Sequence, residues 1–368
     1  MRIERIDLMI VKMELLRSFA TSSSSKTGLD HILIKAYADG LVGWGECAAP
    51  SGPFYCEETT ETAWHMLRDF LIPATIGKEW EDIESFRSNY RTVKRNNFAK
   101  AGLEMACWDL LSQARGQSIA SLLGGTRSEV LSGVSLGIER ERSKLFEQID
   151  RFLGEGYRRI KLKIAPGFDV EVVRDVRQRY PDVPLMVDAN SAYTLKDIAI
   201  LKELDQFDLM MIEQPLAHDD IIDHAKVQRE LKTPICLDES IHSAEDARKA
   251  IELGSCKVIN IKAARVGGLL AGKEVHDVCQ AAGIPVWCGG MHEYGIGRAA
   301  NLAISSLANF SLPGDVSGSD KYYAEDIVDP PIVAVNGSIP VPQVPGLGYT
   351  PNEKRIAERT VRSLTIEA

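Results

Sequence analysis

Between Ile160 and Lys262, short apolar runs recur at a nearly constant interval, and each ends on a side chain that is costly to bury. The runs are Ile160 to Lys163, Leu185 to Asp188, Met210 to Glu213, Ile235 to Asp238 and Val258 to Lys262. Their last residues, Lys163, Asp188, Glu213, Asp238 and Lys262, stand 25, 25, 25 and 24 residues apart. Runs this short and apolar predict buried strands. Helical periodicity fills the intervals, with capping-box spacings at Thr194 with Asp197 and Ser243 with Asp246. A strand and a crossover helix repeated in series predict a parallel sheet or barrel, with the five polar residues gathered at one rim. Alternation along the strands puts Lys161 with Lys163 on one face and Asn260 with Lys262 on one face. A solvated charge at a loop start would account for any one of these residues. It does not account for five in register, because such strands are buried on both faces.

Elsewhere the pattern changes. Residues 2–47 alternate as a β-meander with a hairpin turning near Asp39-Gly40. A polar loop from Ser18 to Gly28, with Thr21 and the serines 22–25, reads as a plain connection rather than a lid. Residues 58–115 read as mainly helical, including an amphipathic run from Ala99 to Gln113, and Gly124-Gly125 closes an N-terminal α+β unit. A new apolar strand carrying Ser132 and Ser135 starts near Leu131. Beyond Lys321 the chain is rich in Pro and Gly, and its remaining strand and helix signals are expected to pack back on the first domain. The expected division is 1–126, 127–320 and 321–368; a length of 368 residues, at about 150 per domain, agrees with two main bodies.

Charge narrows the function classes. The 43 basic and 52 acidic residues give a net charge of -9, with no Lys/Arg-rich block, which favours neither nucleic acid nor an anionic membrane as partner. Seven cysteines without a CxxC pair argue against a disulfide framework or zinc knuckle and point to a reducing cytoplasm. Charges interrupt Met1 to Leu16, so no signal peptide is expected, and no stretch is long and apolar enough to span a bilayer.

The rim residues carry the chemistry. Three carboxylates confined on successive strands need a cation between them to stay ionised together. With oxygen donors and no His or Cys cluster, Mg²⁺ is the expected metal, with Mn²⁺ able to substitute. One lysine lies a strand before the trio and another a strand after it. A divalent ion on a substrate carboxylate and a lysine at the α-proton form a coherent site for proton abstraction, so the expected ligand is a small-molecule carboxylate.

The set Lys161-Leu162-Lys163, Val187-Asp188-Ala189-Asn190, Ile212-Glu213-Gln214-Pro215, Leu237-Asp238-Glu239-Ser240 and Asn260-Ile261-Lys262, followed by Arg265, Gly267 and Gly268, resembles the muconate-lactonizing subgroup of the enolase superfamily. Gly289-Gly290-Met291, Gly295-Ile296-Gly297-Arg298, Leu312-Pro313-Gly314-Asp315, Pro53 to Thr59 and Ala63-Trp64 resemble its branch holding o-succinylbenzoate synthase and N-succinylamino acid racemase. The resemblance implies a (β/α)7β TIM-like barrel under an N-terminal α+β capping domain that the C-terminal segment completes. It implies Mg²⁺ on Asp188, Glu213 and Asp238, and an acid/base pair of Lys163 and Lys262. Asn190 and Glu239 would stand behind them, with Lys161 lowering the pKa of Lys163 through like charge. Ser135, Gly290 and Met291 would touch the substrate, and Tyr55 would reach it from the cap, although ordinary packing accounts equally well for Ser135 and Tyr55. Arg265 is either a structural ion pair at the rim or a like charge that lowers the pKa of Lys262. His292 and Tyr294 depart from the branch pattern and leave the substrate side chain open.

The activity implied is dehydration to o-succinylbenzoate in menaquinone synthesis, with racemisation of N-succinylamino acids as a companion. A dedicated N-acylamino acid racemase, a dipeptide epimerase or a muconate cycloisomerase would share the lysines and metal. A class I aldolase would use Lys262 as a Schiff base but leaves the carboxylates without a task. A barrel acting only as a scaffold or binding protein would be expected to have lost at least one of the five rim residues. A homo-oligomer is compatible with all of these.

Overall fold

The computed structural model describes every residue except Ser23. Strands β1 (Ile3–Ala20), β2 (Ser25–Ala38) and β3 (Leu41–Cys47) form an antiparallel meander. The turn between β2 and β3 is Asp39-Gly40, both with positive φ, which suits a two-residue hairpin connection. Helix α1 (Asn97–Arg115) lies across β3. The approach requires glycine: a Cβ on Gly45 would sit 2.1 Å from the Gly102 carbonyl oxygen. The periodicity of this helix predicts one apolar face, yet it is buried along nearly its whole length, because the barrel segment Ala263–Val266 packs against it as well.

The barrel strands are β4 (Val134–Leu136), β5 (Ile160–Lys163), β6 (Leu185–Asp188), β7 (Ile212–Glu213), β8 (Ile235–Leu237), β9 (Val258–Ile261) and β10 (Val286–Cys288). They are parallel and paired in chain order, with Lys163 opposite Asp188 and Asp188 opposite Glu213. The segment 310–314 closes the ring: Phe310 bridges Val286 of β10, and Gly314 bridges Ser132 just before β4. This is the (β/α)7β arrangement, with the eighth position filled by a short irregular strand. The first barrel strand is interrupted, since Glu129–Leu131 pairs instead with Ser338–Pro340 and the chain resumes at Val134. Met186, Met211, Cys236, Val258 and Trp287 pack together as a separate apolar cluster. Each of the first three stands two residues before a carboxylate on its strand, so the strand alternation carries Asp188, Glu213 and Asp238 on the same inward face, one layer nearer the rim.

The last strand, β11 (Thr360–Glu367), pairs antiparallel with β1 and gives the cap sheet its order β11-β1-β2-β3. Among the described residues no helix is long and apolar enough to cross a membrane.

The Ser18 to Gly28 stretch is not a plain loop. Its strands continue nearly to the tip, with Phe19 opposite Lys26 and Ala20 opposite Ser25. The Ser22 hydroxyl donates to the carbonyls of Ala189 and Asn190 at 3.2 and 3.4 Å. The hairpin thus leans over the barrel mouth, and serines are admitted to the ladder because backbone pairing, which needs no particular side chain, holds it.

Candidate active site

A cavity of about 400 Å³ opens between the barrel mouth and the cap. Tyr55, Lys163, Asn190, Glu239, Lys262, Gly290 and Met291 line it, together with Phe19, Lys26 and His292, which the rim pattern does not single out as binding residues. Asp188, Glu213 and Asp238 lie buried beneath, each at a strand end.

Lys163 donates to Asp188 at 2.5 Å and to Asn190 Oδ1 at 2.7 Å, and Asn190 in turn donates to Glu239 at 2.9 Å. Asn190 does this from a left-handed conformation, φ 43°, which asparagine tolerates better than most residues. Lys262 donates to Asp238 at 2.8 Å and to the Tyr55 hydroxyl at 3.0 Å. Arg265 lies beside Lys262: it pairs with the other oxygen of Asp238, reaches the Tyr55 hydroxyl at 3.3 Å and donates to the carbonyls of Ile241 and Asn260 at 2.7 Å each.

Charge here is balanced within the protein, as buried ions require. Burial would raise Asp188, but the ammonium groups of Lys163 and Lys161 outweigh it and hold the carboxyl well below the usual range. Glu213 is pushed up by burial and by Asp188 beside it. Burial, with the Asp188 charge, lifts Glu239 to about 7. Two of the lysines stand in a fuller charge balance than the spacing alone suggests. Lys161 does not act simply as a like charge on Lys163: it is engaged by Asp315 at 2.6 Å, Glu213 at 3.0 Å and Asp188 at 3.3 Å. Lys262 stands beside Arg265 on the two oxygens of Asp238. Burial opposes its charge, yet Tyr55, Glu239 and Glu213 prevail and raise its pKa, while Arg265's own charge is met by Asp238.

Ser135 is buried on β4, in the deeper part of the mouth that Lys161, Lys163 and Gly290 share, and its hydroxyl has no hydrogen-bond partner among the described residues. His292 stacks its ring edge on Phe19 at 4.5 Å. Tyr294 faces elsewhere: its hydroxyl meets the carbonyls of Val11 and Leu29 in the cap at 3.0 and 2.8 Å. It therefore bears on the joint between cap and barrel, and of the two departures only His292 touches the cavity. Sequence reasoning gave no role to Asp315, which holds Lys161 and Arg159 together. It sits in the irregular closing segment, off the 25-residue period, and only its place in the Leu312 to Asp315 motif marked it.

Among the described residues, no three acidic, His or Cys side chains converge on one point; lysines and Arg265 stand against the carboxylates instead. The donor set still fits a hard divalent cation in its chemistry: three buried carboxylates on adjacent strand ends, oxygen donors only, with Glu239 Oε2 and Asn260 Oδ1 buried nearby without partners.

The chain matches the family model for the N-terminal domain of mandelate racemase / muconate lactonizing enzyme over residues 5–124, and the enolase C-terminal domain-like model over residues 144–355. It is 50% identical over 359 residues to an o-succinylbenzoate synthase of Geobacillus kaustophilus, covering 97% of this chain and 96% of that one. It is 46% identical over 367 residues to an N-succinylamino acid racemase of Amycolatopsis sp, covering 100% of both. A crystal structure of an enolase superfamily member from Listeria innocua Clip11262 superposes with a TM-score of 0.96 at 38% identity, over 100% of this chain and 99% of that one. Barrel, cap and both domain matches agree: the chain belongs to the enolase superfamily.

Proposed function

We propose that the protein removes the proton alpha to a carboxylate to give an enediolate. Its main reaction is then the dehydration catalysed by o-succinylbenzoate synthase in menaquinone synthesis, and racemisation of N-succinylamino acids is a second outcome of the same step. The observation that carries this reading is that Lys163 and Lys262, from strands on either side of the carboxylate trio, line one cavity. Relatives bearing both names at 46–50% identity over nearly the whole chain support it.

Asp188, Glu213 and Asp238 would hold Mg²⁺, the metal that their oxygen-only donor set suits. When bound, it offsets the negative charge that grows on the substrate carboxylate. The rest falls to the chain's own groups. Lys163, aimed by Asn190, takes the α-proton from one face; Lys262, aimed by Tyr55, stands at the other. In dehydration, Lys163 returns its proton to the departing hydroxyl, which leaves as water while Lys262 remains cationic beside the developing charge. In racemisation the second lysine supplies a proton to the opposite face. Ser135, Gly290 and Met291 would contact the substrate, a reading supported by their position on the cavity wall.

The test is an assay of the Mg²⁺-loaded protein for dehydration of the cyclohexadiene precursor and for α-deuterium incorporation into N-succinylamino acids in D₂O. Both are expected, and both should stop on chelation and return with Mg²⁺. Full activity in metal-free protein, or a borohydride-trapped adduct on Lys262, would sink the proposal.

A further inference from the structure

Lys26 sits on the β1–β2 hairpin directly opposite Phe19, and residues paired in this way point to the same face of a ladder. Phe19 meets His292 of the barrel mouth at 4.5 Å, so that face turns into the cavity, where Lys26 joins Lys163 and Lys262 on the wall. The other lysines there have counterions: Lys163 has Asp188, Lys262 has Asp238, and Lys161 below has three carboxylates. Lys321 nearby donates to the Ser135 carbonyl and the Tyr322 hydroxyl. Lys26 has neither kind of partner among the described residues. An ammonium half-buried without an anion is costly. Burial, with repulsion from Lys262 and Lys163, brings its pKa down to about 8, which still leaves it mostly charged at neutral pH.

The hairpin thus carries a cation that no carboxylate of the described residues meets at ion-pairing distance, although Glu57 and Glu239 line the same cavity. We propose that Lys26 binds a second, remote carboxylate of the substrate and makes the site selective for dicarboxylates. This deepens the reading above and rests on it: the reacting carboxylate lies toward the floor, and the succinyl carboxylate reaches the hairpin. A bound dicarboxylate would then tie the hairpin to the barrel.

The experiment compares N-succinyl-L-phenylalanine with N-acetyl-L-phenylalanine, which lacks the second carboxylate, in α-deuterium exchange by Mg²⁺-loaded wild type, Lys26→Gln and Lys26→Arg. In Lys26→Gln, kcat/KM for the N-succinyl compound should fall about 10- to 100-fold further than for the N-acetyl compound, chiefly through KM, with Lys26→Arg recovering most of the difference. Equal changes for the two compounds would overturn the assignment. If wild type exchanges neither, the proposed reaction fails, and calorimetric titration of both compounds still decides Lys26. Affinity lost selectively for the N-succinyl compound upholds it. Parallel affinities, or no binding of that compound to wild type, overturn it.

Discussion

Arg265 is buried, and its guanidinium is surrounded by acceptors: Asp238, two backbone carbonyls and the Tyr55 hydroxyl. Two of those acceptors are strand-end groups, so the side chain fixes the rim as well as balancing Asp238. Removing one partner of a buried ion pair leaves the other charge stranded, at a cost of about 3–5 kcal/mol. We expect Arg265→Gln to lose stability of that order in urea unfolding, and Arg265→Lys to recover little, since an ammonium lacks the planar fork that spans both carbonyls. A loss below 1 kcal/mol, on the order of an exposed pair, would show that the rim holds its shape without it. At this scale the sequence was legible wherever a polar residue interrupted an apolar period, as at Asp188 or Lys262. Asp315 and Lys26 are in irregular or serine-rich surroundings, and their importance comes from partners, or the lack of them, that only the fold brings near.

Among elements, α1 depends on a residue outside it. Asn96, at its N-terminus, makes no side-chain capping bond among the described residues and adopts φ 55°. Glu58 supplies the cap instead, accepting from Phe98 N at 3.0 Å and Ala99 N at 3.3 Å. Burial lifts Glu58 to about 7, against the pull of those helix amides. Its folded pKa thus stands above the ordinary 4.5, so its contribution is fullest below pH 4.5 and declines as pH rises through 7. Glu58→Gln keeps an acceptor without the ionisation, and thermal melts should show a flatter stability profile across that window; an unchanged slope would mean Glu58 does not titrate there. Glu58→Ala should cost about 1–2 kcal/mol at acid pH. The βα units were readable from period and caps: the Thr194 box forms as the spacing predicts. At Ser243 only half of it does, since Asp246 accepts from His242 N instead of Ser243 N. The hairpin over the mouth was not readable, because serine carries weak strand preference and its pairing is decided by the barrel beneath.

On the scale of the whole molecule, cap and barrel meet through a buried carboxylate. Glu46 of β3 accepts from the amides of Tyr294 and Gly297 at 2.8 and 2.7 Å, at the start of the barrel helix Gly295–Ser305, and it also meets His31 at 2.7 Å. A carboxylate at a helix N-terminus is favourably placed, and here it crosses between domains. We expect Glu46→Ala to cost about 2–3 kcal/mol and to speed amide hydrogen exchange both in β3 and in the first turn of that helix. Loosening on one side alone would show that the joint does not depend on Glu46.

The pairing of β11 with β1 sets an order of events. During synthesis β1 emerges first and its outer partner emerges last, after every strand of the barrel. For all that time the nascent chain carries a long strand with an open edge, the kind of edge that invites pairing with another copy. The hairpin that covers the mouth grows from this same strand. The base of that strand, Arg5 to Val11, is therefore closed on its outer side only when the last strand has come back to it.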